Sequence, residues 1–135
     1  TRRAADFSVC PRALACAALA PDAIDYINML GSASQVNDSM EDKAISTVFG
    51  TTTACSSTKG WTGHALGAAG ITEAVISALC IQHGLMPGCL NTRSIDPSFT
   101  SQVLLANQSG TVQRVLSNSF GFGGSNCSLI FGEVV

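Results

Sequence analysis

From Ala65 to His83 the apolar and small residues Leu66, Ala68, Ala69, Ile71, Ala74, Val75, Ile76, Ala78, Leu79 and Ile81 follow one another with little interruption. Wound into a helix, they fall on nearly every side of it. A helix that is apolar all round is one that neighbours cover all round, and its glycines and alanines let other backbones come close. The segment is expected to be a buried helix that starts near Ala65 and stops at His83–Gly84. A chain of 135 residues makes one domain at most. It is 46% hydrophobic and only 12% charged. A lone domain of this size leaves about a third of its chain surface in water. So few charges predict that much of the surface is covered, by the rest of a larger fold or by an obligate interface.

Charge excludes some classes. The net charge is −2 and the seven Lys and Arg residues are scattered. That is no electrostatic footprint for nucleic acid, and the aromatics are too sparse to stack bases. The six cysteines, Cys10, Cys16, Cys55, Cys80, Cys89 and Cys127, form no CxxC pair and no Cys/His metal spacing. All six are read as reduced, which points to the cytoplasm. No signal peptide is recognised, and no apolar run is read as long enough for a bilayer, so no membrane is expected. The chain opens on Thr1 without an initiator Met, which leaves proteolysis, a split gene and a partial chain open.

Along the chain, Arg12 to Leu19 reads as a short helix ending near Pro21, and Ile24 to Met29 as a buried strand. Gly31 to Asn37 reads as a polar loop. Asn37 or Asp38 is expected to cap the next helix, with Glu41 in its first turn and a stop at Gly50. Thr51 to Gly63 is rich in Thr, Ser and Gly and reads as a loop holding one short strand. After the buried helix, Gly84 to Thr100 is a Pro-containing connection. Val103–Ala106, Gln113–Ser119 and Asn126–Val134 read as strands, the last two antiparallel around a glycine-rich turn. The order gives an α/β fold in which helices cover a mixed sheet.

Two stretches carry chemistry. The first runs Ser56-Ser57-Thr58-Lys59-Gly60-Trp61-Thr62-Gly63-His64-Ala65-Leu66-Gly67-Ala68-Ala69-Gly70. A His at a helix N-terminus is biased toward the neutral form, and a neutral imidazole can donate one hydrogen bond to a developing oxyanion. Glu73 follows on the same helix and needs a partner there, for which Lys59 is the candidate. The residues alone leave a second reading open, in which Lys59 and Glu73 are a structural ion pair and His64 a cap. A phosphate loop is excluded, because the Lys precedes the glycines. The second stretch runs Ser117-Asn118-Ser119-Phe120-Gly121-Phe122-Gly123-Gly124-Ser125-Asn126. Its glycines allow a sharp turn whose backbone N–H groups can face a ligand, and equally a plain tight hairpin.

These stretches resemble the STKxxTGHxxGAAG and NSFGFGGxN signatures of the β-ketoacyl-carrier-protein synthases. Ile27-Asn28, Gly31, Asn37-Asp38 and Glu41 resemble a third, NxHGTxTxxND, in the family's order and spacing. The resemblance covers Pro21 to the C-terminus. It implies the C-terminal half of a thiolase-like fold: α/β, with a mixed β-sheet and a buried glycine- and alanine-rich helix, filling residues 1–135. The nucleophile-bearing N-terminal half is then missing from this chain. The family implies transfer of an acyl chain from an acyl carrier protein to a cysteine and condensation with a malonyl thioester. A homo- or heterodimer is implied, and no cofactor. His64 matches the second catalytic His, Lys59 and Glu73 its supporting pair. Phe122 matches an oxyanion donor through its N–H and the acyl-pocket gate through its ring. Thr62, Phe120, Gly121 and Gly123 match the substrate and acyl-pocket surroundings. Asn28, Glu73, Ser117 and Asn118 lie where some members hold a structural monovalent cation.

The chain departs from the pattern in two ways. The family's nucleophile belongs to the absent half, and Cys55 is not in its place. The first His is replaced: the chain reads Asn28-Met29-Leu30-Gly31-Ser32-Ala33-Ser34, with Leu30 in the His slot. Leucine donates no hydrogen bond, and loss of such a donor costs about 10²–10³ in rate. The expected function is a ketosynthase with an altered site. The alternative is a catalytically inactive partner subunit of a heterodimer, of the kind that sets chain length. A degradative thiolase shares the fold, but the two long signatures are those of the carrier-protein synthases.

Overall fold

The computed structural model describes residues 8–133. Helix α1 spans Val9–Ala17, α2 Gln35–Phe49, α3 the single turn Lys59–Thr62, and α4 Ala69–His83. The strands are β1 Tyr26–Asn28, β2 Ala54–Ser56, β3 Leu85–Met86, β4 Gln102–Val103, β5 Gln108–Ser109, β6 Arg114–Phe120 and β7 Asn126–Gly132. Five of them form one sheet in the order β4-β2-β1-β6-β7. The first four run parallel, and β7 closes the edge antiparallel to β6. The expected mixed sheet is present. β3 and β5 make a separate two-stranded ribbon that the sequence does not announce.

Side chains alternate across the central strands, so each strand feeds two cores. Ile27, Cys55 and Leu116 point to one face and join Cys10 and Leu14 of α1 and Ile45 and Phe49 of α2. Tyr26, Ala54 and Val115 point to the other and join Cys80 of α4, Leu104 and Val112. The helices stop where backbone geometry tells them to: α4 ends at Gly84 in the left-handed region (φ 59°), α2 at Gly50 (φ 74°).

Several expectations are corrected. α2 begins at Gln35 after Ser34, so Asn37 and Asp38 lie within its first turn and do not cap it. Glu41, expected in the first turn, stands in the second, and it is fully buried. The segment 51–63 contains the α3 turn as well as β2, and the strand expected over 103–106 is only Gln102–Val103. Val134, the expected end of the last strand, lies outside the described residues.

The largest correction concerns α4. The described chain covers it along one stripe, Ala69, Glu73, Ser77 and Cys80, while Leu66, Ile71, Val75 and Leu79 are exposed. The stripe laid on the sheet is the small and polar one, because small residues let the helix axis come close to β6 and β7. Leu66–His83 is also long and apolar enough to cross a membrane by length and composition alone, contrary to the sequence reading. The buried, ion-paired Glu73 and the packing on the sheet identify it as a sheet-covering helix.

Candidate functional site

In a parallel sheet, ligands collect beyond the carboxyl ends of the strands. Here β1 ends at Asn28 and β2 at Ser56, register partners, and Asn28 pairs in turn with Ser117 of β6. All three are buried polar residues in a sheet whose preceding row, Tyr26, Ala54 and Val115, is apolar. The change from apolar to polar marks where the core ends and a site begins. Tyr26 Oη lies 2.6 Å from Ser56 Oγ, which donates to the Pro87 carbonyl. Asn28 Oδ1 accepts from Thr58 Oγ1 at 3.4 Å.

Beyond these ends the chain makes two turns. After β1, Leu30 and Gly31 donate their backbone N–H groups to the two carboxylate oxygens of Glu41, both at 2.9 Å. Gly31 has φ 39°, and a Cβ on it would overlap the Ser57 side chain, so glycine is required there. After β2, α3 carries Lys59, whose Nζ pairs with Glu73 Oε1 of α4. Burial raises the Glu73 carboxyl above its ordinary range, and the Lys59 ammonium pulls it back. Glu73 Oε2 and Asn28 Nδ2 are buried without a partner.

His64 lies between α3 and α4, exposed, and precedes α4 by a turn of 3₁₀ helix, so it is not the cap that the second reading of these residues leaves open. Its Nδ1 accepts the N–H of Leu66 at 3.2 Å. An imidazole that accepts at Nδ1 carries its proton at Nε2, so the free edge is a donor. Leu66 holds φ 51°, an unfavourable value for a leucine and the sort of strain found near functional sites.

A cleft of about 700 Å³ opens at these turns, lined by both Lys59 and His64. One lining segment runs from Met29 and Gly31 to Asp38, the other from Cys89 to Phe99. Ser57 joins them: its Oγ donates to the Gly31 carbonyl at 2.9 Å and its N–H to Cys89 Sγ at 3.3 Å. Leu30 itself is buried, between the cleft-lining Met29 and Gly31. Thr62 is exposed at the end of α3, bonded to the Thr58 and Gly63 carbonyls.

The glycine-rich turn 121–125 is closed by the Gly121 N–H donating to the Ser125 carbonyl at 2.7 Å, with Gly123 at φ 82°. Phe120, half-buried, ends β6, and the Phe122 side chain is not among those described. The four residues expected around a cation divide between the two faces of the sheet. Asn118 faces α1 and α2, donating to Glu41 Oε1 at 3.3 Å and accepting from Ser128 Oγ at 2.7 Å. Asn28 and Ser117 share the other face, and Glu73 brings one unpartnered carboxylate oxygen. No group of three or more His, Cys, Asp or Glu that suits a metal occurs among the described residues. Cysteines 10, 16, 55, 80, 89 and 127 are all free. Burial pushes the Cys55 thiol up to about 12, so it is inert as a nucleophile.

Asp42 and Cys89 are residues around the cleft that sequence reasoning missed, and Glu41 it named in the third signature without reading its burial or its hold on the turn after β1. For Glu41 a signal exists: on α2 it stands four and eight positions before the core residues Ile45 and Phe49, inside the apolar stripe. A carboxylate in that stripe must be held by donors.

Residues 1–93 match the model of the beta-ketoacyl synthase, C-terminal domain. The chain is 45% identical over 130 residues to the mitochondrial 3-oxoacyl-[acyl-carrier-protein] synthase of Arabidopsis thaliana, covering 91% of this chain and 28% of that protein. It is 40% identical over 113 residues to 3-oxoacyl-[acyl-carrier-protein] synthase 1 of Escherichia coli (strain K12), covering 82% of this chain and 28% of that protein. Among solved structures, a ketosynthase in complex with its chain length factor from Xenorhabdus doucetiae superposes with a TM-score of 0.89 and 42% identity over 95% of this chain and 33% of that one. The ishigamide ketosynthase/chain length factor gives a TM-score of 0.89 at 32% identity, over 93% of this chain and 32% of that one. The chain thus spans about a third of the length of the relatives it matches. Lys59, His64 and Glu73 all fall within the matched residues 1–93, and this chain belongs to the β-ketoacyl synthase family, within its C-terminal domain.

Proposed function

We propose that this chain is the C-terminal part of a ketosynthase that takes an acyl chain from an acyl carrier protein and condenses it with a malonyl thioester. The acyl-accepting cysteine would lie on an N-terminal portion of the same fold, and that portion would cover the exposed face of α4. The observation that carries the reading is the His64 ring, whose Nε2–H edge is free while Nδ1 accepts from Leu66, in a cleft shared with Lys59. A neutral donor at that edge stabilises the enolate formed when a malonyl group loses CO₂. Lys59 and Glu73 neutralise each other and fix the α3–α4 junction that presents His64. The Phe122 N–H would be a donor to the acyl carbonyl, with Phe120 and the surrounding glycines beside the acyl chain. A monovalent cation would be held by Asn28, Ser117 and the free oxygen of Glu73, with Asn118 on the opposite face of the sheet left out of the set. Working as a dimer in an aqueous compartment, the cytoplasm or an organelle interior, completes the reading.

Leu30 favours a second reading, in which the chain belongs to a non-catalytic partner that shapes the acyl tunnel of an active subunit. Relatives solved as ketosynthase/chain length factor pairs make that reading concrete. The complete protein, mixed with acyl-carrier and malonyl-carrier and followed by intact-protein mass spectrometry, separates the two. An elongated ketoacyl carrier supports the condensing enzyme. Acyl loading without elongation supports acyl transfer by a site that lacks donor activation. No loading supports the partner role and sinks the catalytic one.

A further inference from the structure

Helix α2 places two adjacent carboxylates inward, and each fastens a different segment of the cleft. Glu41 takes the N–H groups of Leu30 and Gly31, where the first lining segment begins. Asp42, also buried, takes the N–H groups of Thr100 at 3.1 Å and Ser101 at 2.9 Å, and the Ser101 hydroxyl. Those residues follow directly on Phe99, where the second lining segment ends. That second segment has no strand or helix of its own between Gly88 and Ser101. Its internal bonds are local, with Thr92 donating to the Cys89 carbonyl and Ser98 and Phe99 to Asp96. At its near end the Cys89 N–H donates to the Leu104 carbonyl at 2.8 Å. At its far end the fastening is Asp42. Successive residues on a helix point about 100° apart, so one rigid turn of α2 reaches both segments at once.

We propose that Asp42 is a positioning residue that, with Glu41, sets the separation of the two cleft segments and so the fit of the thioester donor between them. The donor's identity rests on the function proposed above, whereas the fastening of the 90–99 segment does not. Hydrogen bonds to a charged acceptor are the strong ones, and losing this set frees a segment that has no sheet to return to. The expected effect of Asp42→Ala in the complete protein is a KM for the malonyl thioester raised roughly tenfold, with kcat within about twofold. Asp42→Asn, which keeps one acceptor oxygen, falls between.

Two readouts need no turnover: amide hydrogen exchange at Thr100 and Ser101, and the alkylation rate of the cleft-lining Cys89 by iodoacetamide. Both are expected to rise about tenfold in Asp42→Ala while exchange in β1 and β6 stays as in the wild type. If Asp42→Ala does not fold, Asp42→Asn and Ser101→Ala carry the same comparison. Unchanged exchange and alkylation would overturn the fastening. Faster exchange with an unchanged KM would overturn the link to donor fit. Faster exchange and alkylation in a protein whose wild type neither loads nor elongates would support the fastening while refuting the proposed function.

Discussion

Lys59→Met is the most telling single change. Lys59 and Glu73 side chains are 8% and 3% exposed, and Glu73 already has one oxygen without a partner. Methionine matches the lysine stem in volume but leaves Glu73 as a buried, unpaired carboxylate. Removing one member of a buried pair costs about 3–5 kcal/mol. The low end, about 3 kcal/mol, applies here because Lys59 lines the cleft and water can reach its end of the pair. Glu73 responds by taking up a proton, since burial already raises its pKa and the lysine that pulled it down is gone. A carboxyl with a raised folded pKa contributes stability that is full at low pH and is lost as pH rises through that pKa. The penalty is therefore largest in mildly alkaline buffer and shrinks on acidification. The double variant Lys59→Met/Glu73→Gln is expected to recover most of the loss, because two neutral side chains replace two charges. Urea unfolding of the complete protein at about pH 8 and about pH 5 measures all three variants. A loss below about 1 kcal/mol at the higher pH, the worth of an exposed pair, would refute the claim that this pair is buried and structurally required.

His64→Ala is expected to lower condensation by about 10²–10³ without changing the midpoint of thermal unfolding, since the ring is exposed and, among the described residues, bonds the Leu66 N–H alone; activity retained within a few-fold would remove His64 from the site. Leu30→His, which leaves the backbone bonds to Glu41 in place, is expected to raise malonyl decarboxylation in a labelled-CO₂ release assay, and an unchanged rate would mean that the pocket has diverged beyond one donor. Burial pushes Glu41 up to about 7 against the donors that pull it down. Its contribution to stability is full below the ordinary Glu value of 4.5 and is lost as pH rises through about 7, a fall of about 3 kcal/mol. Glu41→Gln should flatten that part of the stability–pH profile, and an unaltered profile would show that another group produces the slope.

How much of this was legible varies by element. β1, β6 and β7 could be read because β-branched and apolar residues cluster there and a glycine-rich turn separates the last two. The ion pair could be read because a buried Glu on α4 has one nearby cation. The facing of α4 could not, because its all-round apolar pattern carries no sign of which stripe meets its own sheet. In the structure that stripe is the one with Glu73 and Ser77, the residues least expected in a core. β3 and β5 are two residues each and pair across a long loop, so no local period marks them. Asp42 was invisible because its partners are backbone amides more than fifty residues away.

The sheet order has a kinetic consequence. Central β1 is three residues long and is flanked by β2 and by β6, where Tyr26 pairs with Val115. Leu116 belongs to one core and Val115 to the other. Neither core can close until β6 arrives, and the loop that brings it runs through most of the chain. Such non-local pairing makes for slow closure. A ribosome halted before Arg114 would hold a chain with both cores open, and folding of this region is expected to begin only once its last two strands have been made.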